Sequence, residues 1–137
     1  MKSQFVFQST TSHWLLYAAS GFSAVAGVIH AYFMPEHFEE WIGYGVFFLV
    51  ATVCQVLLAL VLLADLPPRR EVLWAGIIGN AAIIMLWLIT RTLGIPIGPM
   101  AGEIEAVGVL DLTSKIAEMV VIMCLALLLR ETGFQRK

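Results

Sequence analysis

Four long apolar stretches separated by short polar connections set the pattern of this chain. Crossing a hydrocarbon core of about 30 Å takes ~20 residues of α-helix, since each residue rises ~1.5 Å. Trp14 to Met34, Trp41 to Ala64 and Val72 to Thr90 carry no formal charge, and each is long enough to cross. The fourth stretch, Ala106 to Leu129, is apolar overall but contains Asp111, Lys115 and Glu118. Its twelve Leu, Ile and Val residues supply about −4 to −7 kcal/mol of insertion free energy, against about +8 to +10 for three central charges. Alone it is marginal, so it is expected to insert packed against its neighbours, with Asp111 and Lys115 neutralising each other at i,i+4. The predicted spans are approximately 14–34, 41–64, 72–91 and 106–130. The predicted fold class is an all-α integral membrane four-helix bundle, a single domain of two helical hairpins over residues 1–137.

Composition agrees with that pattern. Of the 137 residues, 60% are hydrophobic and 13% charged, where soluble domains carry about 25% charge. The net charge of −2 and the scattered basic residues leave no electrostatic footprint for nucleic acid. The lipid bilayer is the first partner implied.

Sidedness follows from Lys and Arg. Lys2 precedes the first span, Arg69 and Arg70 occupy the second connection, and Arg130, Arg136 and Lys137 follow the fourth. The first connection has no basic residue and the third has only Arg91, at its membrane edge. The positive-inside rule puts both termini and the Pro67-Pro68-Arg69-Arg70 turn in the cytoplasm, with the plasma (cytoplasmic) membrane as the expected location. Ser23-Ala24-Val25-Ala26 offers small residues of the kind a signal peptidase cuts, but the apolar run continues to Met34, so the first helix is expected to stay.

Packing in lipid relies on close approach and interhelical hydrogen bonds. Ser23, Gly27 and Ala31 form one small-residue seam, and Ala75 with Gly79 a second. Gln55 and Asn80 lie at similar depth, and a hydrogen bond between them, read first as a structural clamp, would satisfy both. Cys54 and Cys124 have no CxxC or CxxH spacing and read as small buried hydrophobes.

Polar residues are costly in the membrane, and here they gather at the outer end. His30 lies about one turn below the outer end of the first span. Pro35 can open a new helix, placing Glu36 and Glu40 on one face with His37 three residues from Glu40, and a turn between helices would bring His37 toward His30. Imidazole plus carboxylate is a ligand set for zinc, iron, manganese or copper(II), so His30, His37, Glu40 and Glu36, with Glu103 as a further carboxylate, are candidate ligands of a divalent transition metal ion. On the fourth span Asp111, Ser114, Lys115 and Glu118 fall at i, i+3, i+4 and i+7, a stripe that must face helices or a wet cavity. Arg91 with Asp111 or Glu118 is expected to pair the third and fourth helices, and Arg91, Asp111, Lys115, Glu118 and Glu103 are the candidate ligand-binding residues. The remaining acidic residues of the outer connections read as a solvated rim.

Other chemistries lack machinery. HExxH and paired Glu-x-x-His motifs are absent, as are a phosphate-binding glycine loop and Ser-x-x-Lys or Gly-x-Ser-x-Gly nucleophile motifs. A haem held by two histidines would need them at one depth, but His13 and His30 fall at opposite ends. With no catalytic motif, a non-enzymatic role leads. Three functions compete: binding or transport of a cation or small ligand in an outward polar pocket; an accessory or structural subunit whose acidic loops dock a basic partner; and a redox enzyme using quinone or metal near Trp41 and Trp87. Transport through four short helices would require a homodimer. The charged stripe is costlier than scaffolding needs, which favours the first.

Overall fold

The computed structural model describes residues 10–64 and 69–134. The four helices are α1 (Thr10–Glu40), α2 (Ile42–Leu63), α3 (Arg70–Thr92) and α4 (Val109–Phe134), and the described residues contain no strand. All four are long and apolar enough to cross a membrane, so the chain is a multi-pass integral membrane protein whose outer faces meet lipid. Lys2, Pro67, Pro68, Arg136 and Lys137, which bear on sidedness, lie outside the described residues.

Pro35 does not open the second helix. It lies inside α1, which runs unbroken for 31 residues, about 46 Å, so its last turn stands beyond the apolar run ending at Met34. Pro35 has no N–H to give the Ala31 carbonyl, yet the helix continues through it to Glu40. The break falls at Trp41, which is extended at φ −168° and ψ 139°. Glycines make the abrupt reversal possible: the Trp41 ring lies over Gly43 and the Phe38 ring over Gly45, each in the space a Cβ would fill. Glu36, His37 and Glu40 therefore belong to α1.

In space α1 packs on both α2 and α4, α3 packs on α4, and α2 and α3 hardly meet. Ser23 and Gly27 form the expected seam: the Ser23 hydroxyl donates to the Gln55 carbonyl at 2.8 Å, and a Cβ on Gly27 would lie 3.2 Å from Val56 Cγ2. Ser20 donates likewise to the Ala59 carbonyl at 2.9 Å. At the end away from the hairpin tips an apolar core closes the bundle, with Leu16, Leu73, Val121, Leu125 and Leu128 buried together. Cys124 is buried as expected, whereas Cys54 is exposed on α2.

The second seam is also different. Ala75 and Gly79 are exposed, and α3 turns Leu73, Gly76 and Asn80 inward instead. A Cβ on Gly76 would lie 2.6 Å from Leu125 Cδ1 and 3.1 Å from Leu58 Cδ2, whereas one on Gly79 meets nothing within 4 Å. The two glycines should therefore respond oppositely. Gly79→Ala is expected to raise stability by about 0.5–1 kcal/mol through helix propensity. Gly76→Ile should lower it by about 1–3 kcal/mol by overpacking, read as thermal unfolding midpoints in detergent micelles. Equal shifts would contradict this orientation of α3.

Candidate ligand-binding site

At the hairpin-tip end lies a cavity of about 630 Å³. Every helix contributes to its wall. α1 supplies His30, Glu36, His37 and Glu40, and α4 supplies Asp111, Ser114 and Lys115. Aromatic side chains from α2 and α3, chiefly Phe47, Phe48 and Trp87, make up much of the rest.

The 93–108 connection roofs it. Tyr44 donates its hydroxyl to the Ile97 carbonyl at 2.9 Å, and the Glu105 amide bonds the Thr90 carbonyl at 3.1 Å. Arg91 fixes the roof to α3 and α4: Nη1 is 2.5 Å from Glu105 Oε2, and Nη2 is 2.6 Å from Asp111 Oδ2. The Trp87 indole donates to the same Asp111 oxygen at 2.7 Å, so this tryptophan joins the polar network. The expected pair of Arg91 with Asp111 thus forms, Arg91 with Glu118 does not, and Glu105 emerges from the supposed rim as the second partner.

The floor is a buried polar network. Because α1 continues to Glu40, His30 sits ten residues, about 15 Å, below the helix end and not one turn below it. His30 Nδ1 lies 2.9 Å from the Ala26 carbonyl oxygen and 2.9 Å from Gln55 Oε1, two acceptors, so it is the nitrogen that carries hydrogen. Gln55 Nε2 then donates to Glu118 Oε1 at 3.1 Å and to Asn80 Oδ1 at 3.4 Å, and Asn80 Nδ2 donates to the Gly76 carbonyl. The Gln55–Asn80 clamp exists as one link in this longer chain. Lys115 Nζ lies 2.6 Å from Glu118 Oε2, so Lys115 pairs at i,i+3 with Glu118 and not with Asp111. Glu118 is wholly buried, and His30 and Lys115 are 4% and 6% exposed. The stripe Asp111, Ser114, Lys115 and Glu118 faces inward as a unit.

The metal-ligand set does not assemble. His30 and His37 share α1 two turns apart, His37 Nδ1 donates to the Phe33 carbonyl at 2.9 Å, and its ring stacks on Phe48 at 3.8 Å. Glu103 is exposed in the connection, outside the cavity lining. Among the described residues no three His, Cys, Asp or Glu side chains come together as a metal would require. Sequence reasoning also missed the aromatic wall, whose signal was the run Tyr44, Phe47, Phe48 on one face of α2. Comparison of the chain with protein-family models, with curated proteins and with solved structures finds no match in any of the three.

Proposed function

We propose that this protein is a membrane-embedded binding protein that receives a small cation in the cavity beneath its hairpin tips, with the tips facing outward. The observation that carries the reading is the charge on the cavity wall and floor. Arg91 and Lys115 are met there by three carboxylates, Asp111, Glu105 and Glu118, which leaves one formal negative charge in excess. Glu36 and Glu40, near the mouth, add two more and form no hydrogen bond or ion pair among the described residues. A low-dielectric hollow with surplus negative charge favours a cation and excludes an anion. The aromatic wall supplies the ring faces on which cations settle. A scaffold would be served as well by apolar side chains of similar volume, since a buried ion pair is rarely a net gain in stability.

Two tryptophans, Trp41 and Trp87, line the cavity and report on it. Titrating purified protein in lipid nanodiscs with (2-phenylethyl)trimethylammonium is expected to quench fluorescence saturably, while 3-phenylpropionate, similar in shape but anionic, does not. Replacing Glu36 and Glu40 together by glutamine should weaken the cation about threefold to tenfold, most at low salt, since these carboxylates are exposed and screened. Quenching that is unsaturable, or equal for anion and cation, removes the reading.

A further inference from the structure

A buried histidine on the cavity wall narrows the ligand's chemistry. His30 lines the cavity and is buried on all other sides. Its Nδ1 hydrogen is committed to the Ala26 carbonyl and Gln55 Oε1, so in the neutral ring Nε2 is a bare lone pair. Nε2 has no hydrogen-bond partner among the described residues. Glu118 Oε1 stands 3.7 Å away, and it is itself an acceptor. An open acceptor on the cavity wall, with a buried carboxylate behind it, asks for a donor from the cavity.

A metal ion fits poorly, since no third donor converges there. A quaternary ammonium can satisfy the charge but offers no N–H. The neighbouring wall is flat: Phe48 stands 5.5 Å from the His30 ring and stacks on His37 one layer above. A volume of about 630 Å³ is in the range that holds an organic molecule of modest size.

Resting on the cation-binding reading above, we infer that the ligand is a protonated organic amine with a flat apolar body, its ammonium N–H donated to His30 Nε2 beside Glu118 and its body lying along Phe48. The cation offsets part of the excess negative charge of the cavity, and the hydrogen bond selects amines over fully alkylated ammonium ions. Both requirements are met by one ammonium group. Gln55 acts as a positioning residue, holding the His30 ring in the tautomer that leaves Nε2 open.

The test compares three ligands of one shape in nanodiscs: 2-phenylethylammonium, its trimethylated analogue and 2-phenylethanol. The primary ammonium is expected to bind at least about tenfold more tightly than the trimethyl compound, because a hydrogen bond to a charged donor is lost on methylation. The alcohol should be weaker still. His30→Leu should erase the difference between the two cations. Because that substitution also strips Gln55 of a partner, a second readout uses the unaltered protein. The chain has only three histidines, so the ¹⁵N resonance of His30 Nε2 can be followed directly, and it should shift on adding 2-phenylethylammonium and stay in place with the trimethyl compound. Equal affinity for the two cations with an unmoved His30 resonance overturns the amine assignment and leaves the cation cavity standing. If neither cation binds, or the alcohol binds as tightly as the ammonium, the cation cavity falls as well.

Discussion

Replacing Glu118 by glutamine is expected to cost the protein about 3–5 kcal/mol of stability, the largest loss from any near-isosteric change in the chain. Glu118 is wholly buried, its Oε2 is 2.6 Å from Lys115 Nζ, and its Oε1 accepts from Gln55. Glutamine keeps an oxygen for Gln55 but removes the counterion, and Lys115, 6% exposed, is left as an uncompensated ammonium. Lys115 is six residues, about 9 Å, below the start of α4. Its side chain can recover hydration only by reaching upward into the cavity. Lys115→Met should cost a similar amount for the reciprocal reason. The double variant Glu118→Gln, Lys115→Met should recover most of both losses, since a neutral pair of similar volume has no ion left to desolvate. Thermal or denaturant unfolding of the four proteins in one detergent closes the cycle. Additive losses would mean the two side chains do not depend on each other, and the floor described here would be wrong.

How much of this was legible beforehand depends on the residue. Trp41 to Ala64 announces a span because no charge interrupts it, and the same count placed α1 and α3. Depth was legible for Gln55 and Asn80, since both are measured along rigid helices from the same end, and they do meet at 3.4 Å. Rotation was not legible for α3. Apolar all round, it offers no stripe to say that Gly76 rather than Gly79 turns inward. Charge partners were ambiguous for a different reason. Asp111 has Lys115 four residues on along its own helix, but Arg91 reaches it from α3 while Lys115 reaches the more deeply buried Glu118. Local spacing cannot weigh a partner on another helix. Pro35 misled because proline is a good first residue of a helix, and only tertiary packing of Phe38 and Trp41 on two glycines fixes the break six residues later. The roof over the cavity lay furthest out of reach, since it depends on backbone conformations in an irregular segment.

That roof gives the second large effect. Gly94 follows the end of α3 with φ +73°, a left-handed conformation, and its amide bonds the Ile89 carbonyl at 3.0 Å. A Cβ at this position would stand 2.6 Å from the Gly102 carbonyl carbon and 2.8 Å from the Glu103 carbonyl oxygen. Those atoms are backbone and cannot rotate away. Gly94→Ala should therefore lose about 2–4 kcal/mol, the conformational strain and the overlap together. Gly102 separates the two causes: its φ is +80°, yet a Cβ there meets nothing within 4 Å. Gly102→Ala should lose only the conformational part, about 1–2 kcal/mol. The extra loss at Gly94 should appear where the packing is. Displacing residues 102 and 103 loosens the segment that carries Glu105 to Arg91 and frees the connection from α3. Proteolysis within 93–108 should therefore accelerate in Gly94→Ala well before it does in Gly102→Ala, while the Glu118–Lys115 floor, about 14 Å below the start of α4, keeps its stability cycle. If the two alanine variants lose equal stability and are cut at equal rates, Gly94 is not pressed against the chain at Gly102, and the cavity has no fixed roof.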